Sequence, residues 1–222
     1  LAAATTVAQR LGYAAFPEPF VASALLLPAL LAQAGDRAAA HQESVSTGAC
    51  LAALAWQEAA GGLDPQRPAV RARGDASGIT LEGEARFVVP ACADAFIVSA
   101  RGADGLALYW VPRSQAGLAV RVEACADGTG SGWLTLTGAR VPAEACLLRG
   151  DAALEALRLA LDAGVLGTSA ELVGLMDRAL EMTLDYLRTR QQFGKPIGSF
   201  QALQHRAVDI WIQLKLARAV LD

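Results

Sequence analysis

Histidine is nearly missing from this sequence: among 222 residues there are two, His41 and His205, far apart along the chain. The four cysteines, at 50, 92, 125 and 146, form no C-x-x-C pair and match no other metal-ligand spacing. A metal site is therefore not expected. Four reduced, mostly buried thiols in a cytoplasmic protein are the expectation instead. Excess positive charge is also lacking. The net charge is −3, and zinc-finger, RNP-like and Lys-rich patterns are absent, so nucleic acid is set aside as a partner. No G-x-S-x-G, no Walker loop and no G-x-G-x-x-G after a strand occurs. GADG at 102–105 and GTGSG at 128–132 are Gly-rich, but each sits between β-like runs with no helix behind it to favour a phosphate. Both read as hairpin turns. The apolar run FVASALLLPALLAQA at 20–34 is broken by Pro28 and has no basic segment before it. It is too short for a bilayer and reads as a buried core helix, so no membrane association is expected.

What is present divides into three regions. Hydrophobic residues make up 54% and charged residues 18%, enough for a sizeable core. Residues 1–46 are rich in Ala and Leu and read as helices, broken at Pro17–Pro19 and at Gly35-Asp36. Residues 47–149 hold short β-branched runs with Gly turns between them, which predicts an antiparallel barrel or sandwich. In ITLEGEARF, the side chains of Ile79, Leu81, Gly83, Ala85 and Phe87 fall on one face, and Thr80, Glu82, Glu84 and Arg86 on the other. Residues 150–222 carry no proline before Pro196. Leu154, Leu157, Leu161, Val165, Leu172, Leu175, Met176, Leu180, Leu184 and Leu187 recur at helical steps, which predicts one long amphipathic helix. A second helix follows, with Ser199 placed to cap it and Leu203, Ala207, Ile210, Leu214, Ala217 and Leu221 as its apolar stripe. The two should pair antiparallel. The fold class is α+β, with helical, β and helical segments segregated.

The corner between the long helices, RTRQQFGKPIGSFQALQH at 188–205, is polar and planar in character. Arg190 offers forked donors suited to pyrophosphate, and Gln192 and Gln201 each pair a donor with an acceptor. Phe193 could lie against an aromatic ring. A solvated corner whose Phe docks into the core fits the composition equally well. QEAAGGLD at 57–64 follows an apolar strand-like run, and its small residues suit either a close approach to a flat ligand or a plain strand exit. Arg158 stands one residue off the apolar stripe of the long helix, where a snorkelling side chain or a ligand-facing one would both fit.

The corner string resembles the R-x-x-F-G-x-P-I-x-x-F-Q-x-x-Q-H segment of the acyl-CoA dehydrogenases. The likeness continues along the chain in order. QEAAGGLD resembles the family's T-E-P-x-A-G-S-D loop, and LEGEARFVV its L-N-G-x-K-x-W-I-T strand. ACADAFIVSAR resembles its A-D-x-x-x-V-x-A run, and ARVPAEACLL its V-P-x-x-x-x-L exit from the β domain.

The resemblance implies a helical domain ending at residue 46, a central β domain over 47–149 and the first part of a helical domain, half of a four-helix bundle, over 150–222. It implies FAD as cofactor and α,β-dehydrogenation of an acyl-CoA thioester, a step of fatty acid or lipid catabolism. An electron-transfer flavoprotein or other acceptor, and a homo- or hetero-oligomer formed through the C-terminal helices, are the implied partners. Carried over by position, Arg190, Gln192 and Phe193 would reach the FAD of a neighbouring subunit, and Gln201 its adenosine side. Gln57, Phe87, Val88 and Val89 would face the flavin, and Leu63 and Arg158 the substrate.

This sequence also departs from the family pattern. Gln57 and Ala59 replace the T and P of T-E-P, Leu63 replaces a serine that meets CoA, and Val89 followed by Pro90 replaces a threonine hydroxyl near the flavin. Leu157 stands where some members carry the catalytic Glu, so no catalytic base is assigned. These departures keep two alternatives open: a non-catalytic partner that completes another chain's FAD site, and a flavin oxidase or monooxygenase of the same fold.

Overall fold

The computed structural model describes residues 2–58, 62–75 and 78–221. In chain order the helices are α1 (Ala2–Tyr13), a π-helical turn (Val21–Leu26) leading into α2 (Leu27–Gln33), α3 (Ala39–Ser46), α4 (Gly150–Thr189) and α5 (Gln201–Leu221). Between α3 and α4 lie β1 (Ala52–Ala55), β2 (Arg71–Asp75), β3 (Gly78–Val88), β4 (Ala95–Gly102), β5 (Gly105–Pro112), β6 (Leu118–Ala124), β7 (Gly130–Val141) and β8 (Cys146–Arg149). A small hairpin, β9 (Gln191–Gln192) and β10 (Lys195–Pro196), separates α4 from α5. The chain divides into two compact units, residues 17–164 and residues 1–16 with 165–222.

In the unit of residues 17–164 the strands form one eight-stranded sheet in the order β6-β7-β3-β2-β4-β5-β8, with β1 added parallel to β4. Most pairs are antiparallel, as short strands joined by Gly turns predict. GADG closes the β4–β5 hairpin and GTGSG lies at the β6–β7 turn, with Gly102 opposite Gly105 and Ala124 opposite Gly130. Strand β4 is buried on both faces. Phe96, Val98 and Ala100 join Leu81, Val111, Leu134 and Leu136 in the core of the sheet. Ile97 points the other way and meets Leu27, Leu30 and Leu31 of α2 together with Leu157 and Ala160 of α4. The apolar run at 20–34 is thus a core element.

Helix α4 continues from one unit into the other. Gly150, at φ +62, turns the chain into it, and Asp151 sits in its first turn, where the helix dipole favours an acid. By length and composition α4 could cross a bilayer. Here its Ala153, Ala156, Leu157 and Ala160 are buried in protein.

In the unit of residues 1–16 and 165–222, α1 lies against α4 at glycines. A Cβ at Gly174 would stand 1.9 Å from the Gln9 oxygen, and one at Gly12 would stand 1.9 Å from the Glu171 oxygen. Helix α5 returns antiparallel, with Leu214 against Val173 and Leu180 and with Arg218 paired to Asp177.

Four sequence expectations are corrected. The leucine stripe is not the whole buried face of α4: Val165, Leu172 and Leu175 are 67%, 54% and 46% exposed, and small residues such as Ala170 take their place inside. Where α1 meets α4 at Gly174, the backbones approach too closely for a side chain to fit between them. Ile210 is likewise exposed on α5. Ser199 does not cap α5; it lies in a 3-10 turn and donates to the Pro196 carbonyl at 2.8 Å. The thiols are free, but only Cys146 is buried, and Cys92 and Cys125 are exposed.

Candidate functional site

The corner after α4 is built by its own backbone. The Arg190 N–H donates to the Tyr186 carbonyl at 2.9 Å, continuing the helical pattern, and the Arg190 carbonyl accepts from Ile197 at 2.8 Å. Gln192 then pairs with Lys195, leaving Phe193 and Gly194 as a two-residue turn with φ of +54° and +77°. Right-twisted hairpins favour turns with positive φ at both central residues. Gly194 adopts this freely; Phe193 does so against its Cβ.

Phe193 is 89% exposed and meets Phe200 edge-to-face, with ring centroids 6.0 Å apart. Lys195 Nζ lies 4.5 Å from the Phe200 ring centroid. Gly198 packs on the end of α4, where a Cβ would stand 2.8 Å from the Leu187 oxygen. Gln204 Nε2 donates to the Gly198 carbonyl at 2.8 Å. The corner is therefore held by its own hydrogen bonds and by close packing on α4, and its Phe is not docked into the core. Gln192 uses its amide locally, donating to the Gln191 carbonyl at 2.8 Å. Among the described residues, the exposed Arg190 guanidinium and Gln201 amide have no side-chain partner.

The second group of candidates lies in the unit of residues 17–164. Half-buried Gln57 follows β1, and its carbonyl accepts from the Arg86 N–H at 3.0 Å, forming an isolated bridge to β3. Strand β3 bulges just beyond that point. Ala85 faces Leu134 and Val88 faces Gly132, so Arg86 and Phe87 together oppose Trp133 alone. The bulge corrects the expected alternation: Phe87 does not share a face with Leu81 and Ala85. It stands at φ +57 and is 44% exposed. The Val88 side chain is fully buried in the sheet core, which leaves only its backbone for a ligand, while Val89 is 38% exposed.

Gln57 and Phe87 are thus brought together, and Arg190, Gln192, Phe193 and Gln201 form a separate group in the other unit. Leu63 is 71% exposed, Arg158 is exposed on α4, and Ala59 lies outside the described residues. Leu157 is fully buried among apolar side chains, and Glu155 is exposed. Sequence reasoning missed Phe200 and Trp133, each of which packs beside a candidate phenylalanine. The one available signal was the crowding of aromatic and cationic residues near them.

These residues fit one half of a flavin dinucleotide's needs. Free forked donors beside an exposed ring suit a pyrophosphate and an aromatic base. Val89 brings no hydroxyl, so its side chain has no hydrogen bond to offer a ligand there.

The family described as "Acyl-CoA dehydrogenase, C-terminal domain" matches residues 154–222. Acyl-CoA dehydrogenase FadE27 of Mycobacterium tuberculosis is 38% identical over 154 residues, 68% of this chain and 40% of that protein. Among solved structures, the ChsE4–ChsE5 complex from Mycobacterium tuberculosis matches with a TM-score of 0.85 and 31% identity over 98% of this chain and 58% of the matched one. PigA with FAD and proline matches with a TM-score of 0.79 and 27% identity over 88% of this chain and 55% of the other. The chain thus spans about half the length of the relatives it matches. Its helical, β and helical layers and its polar corner agree with that likeness. The chain belongs to the acyl-CoA dehydrogenase family.

Proposed function

We propose that this chain forms part of an FAD-dependent acyl-CoA dehydrogenase, acting in the cytoplasm within a homo- or hetero-oligomer. The observation that carries the reading is the exposed Phe193, held at positive φ beside the free Arg190 and Gln201. The hairpin turn sets this conformation, and non-glycine residues held in it cluster at functional sites. Arg190, Gln192 and Gln201 would hold the pyrophosphate and adenosine side of an FAD bound by a neighbouring subunit, with Phe193 against it. Gln57, Phe87, the Val88 backbone and Val89 would face the flavin of the chain's own site, and Arg158 and Leu63 would flank the thioester substrate. When bound, FAD supplies the hydride acceptor for α,β-dehydrogenation of an acyl-CoA, and an electron-transfer flavoprotein or other acceptor reoxidises it.

Proton abstraction from the α carbon calls for a carboxylate. Buried Leu157 offers none at the position where some family members carry it, so this chain's described residues serve binding and orientation.

A second reading rests on Leu63, Val89 and Leu157, and on the two-component relative ChsE4–ChsE5. In it the chain is a non-catalytic partner that lends its corner to another dehydrogenase subunit.

Titrating the protein with FAD, then adding an acyl-CoA, tests both. A yellow protein whose flavin band bleaches with substrate supports the first reading. Flavin uptake only after co-expression with a second dehydrogenase chain supports the other. A protein that takes up no flavin in either case overturns both.

A further inference from the structure

Phe87 holds its exposed, left-handed conformation because of what surrounds it. The bulge sets Arg86 and Phe87 against Trp133. The Arg86 guanidinium carbon lies 4.9 Å from the Phe87 ring centroid and 4.4 Å from that of Trp133. Arg86 is fixed in turn by Glu123 of β6, with its Nη2 2.7 Å from Oε2 and the two side chains only 25% and 28% exposed. Arg121, opposite Trp133 in the β6–β7 register, sits 4.2 Å from the Trp133 ring centroid and 3.2 Å from the other Glu123 oxygen. Trp133 is thus flanked by two guanidinium groups that share one carboxylate. Gly132 eases the arrangement: a Cβ there would stand 3.3 Å from the Val88 oxygen, so any larger residue would make the backbone give by a few tenths of an ångström.

We infer that Arg86, pinned by Glu123 against Trp133, is a positioning residue that aims the Phe87 ring out of β3 toward the flavin. This rests on the functional reading above, and it concerns a residue that would act on the flavin through Phe87. A bulge without such a brace would let Phe87 relax to an extended φ and turn its ring along the sheet. The brace holds charge and stacking together. Glu123→Gln weakens the charge pairing, Arg86→Met removes both, and Arg86→Lys keeps a charge but loses the planar fork.

The test separates aim from use. In protein carrying 4-fluorophenylalanine, the fluorine line lost in Phe87→Leu identifies Phe87 without any cofactor. Glu123→Gln and Arg86→Met should both shift that line, Arg86→Lys should shift it less, and thermal unfolding should stay cooperative in all three. FAD affinity, read by titration, should weaken by roughly tenfold in Arg86→Met, the low end of the loss met when a group that orients a metal ligand is removed. An unmoved fluorine line overturns the aiming role. A moved line with unchanged FAD affinity overturns the link to the flavin, and so does a Phe87→Ala variant that binds FAD as the wild type does. If wild-type protein takes up no FAD, the functional reading falls, while the fluorine line still decides the aiming role.

Discussion

Three non-glycine residues among those described have positive φ: Ala15, Phe87 and Phe193. Two of them are the phenylalanines proposed to meet the cofactor. Each is an aromatic residue in a conformation that its Cβ disfavours. Phe193→Gly should therefore raise unfolding stability by about 1 kcal/mol through relief of that strain, while weakening FAD retention. Opposite signs in a denaturant melt and a flavin titration would show that the strain is kept for binding. Loss of stability in Phe193→Gly would show that the ring serves the fold. His41 makes a different point. It stacks on Trp110 at 4.0 Å, and burial lowers its pKa from 6.5. The folded state then binds a proton less readily than the unfolded chain. The stability from a neutral His41 is complete above pH 6.5 and declines as pH falls through the window below it. The melting temperature should drop between pH 7.5 and 5.5, and His41→Phe should flatten that slope.

At the scale of the element, α4 shows what a periodic pattern reveals and what it hides. Its existence and its length follow from the run without proline and the recurring leucines. Its inner face does not follow, because hydrophobicity and close packing rank residues differently. Leucine is the stronger apolar signal, yet glycine decides where α1 can touch α4. Gly174→Ala gains about 1 kcal/mol of helix propensity. Set against that is a backbone oxygen at 1.9 Å. The contact should dominate and cost about 1–3 kcal/mol net, read as a lower melting temperature. Gly164→Ala meets only the Leu26 side chain at 3.1 Å and should cost far less. Equal effects at the two sites would sink this account of the α1–α4 contact. The same limit applies to the candidate site. Gln57, Arg190 and Gln201 could be named from residue type and order. The bulge that turns Phe87 outward could not, because alternation assigns it to the inner face and only pairing with β7 reveals the extra residue. Ser199 differs for a related reason: α5 starts only at Gln201, so Ser199 falls in the 3-10 turn before it and the first helix amides, of Leu203 and Gln204, meet the Phe200 carbonyl.

At the scale of the whole molecule, the candidate residues fall into two sets on one chain. Gln57, Phe87 and Val89 belong to residues 17–164, and Arg190, Gln192, Phe193 and Gln201 to residues 165–222. In the proposed oligomer these sets serve different cofactors, the first the chain's own and the second its neighbour's. That division makes a prediction that no intrachain site would share. An Arg190→Ala/Phe193→Ala variant loses the corner and keeps the flavin-facing set. A Phe87→Ala/Gln57→Ala variant keeps the corner and loses the other. Alone, each homo-oligomer should retain little FAD, since each of its sites lacks one half. Co-expressed with different affinity tags and purified through both, the mixed oligomer should regain flavin, because one arrangement in it joins an intact corner to an intact flavin face. Bound FAD per chain in the doubly tagged species is the measurement. Recovery to a clear fraction of the wild-type content supports a shared site. Flavin content no higher than in either variant alone would place both sets at one chain's cofactor and overturn the exchange of corners between subunits.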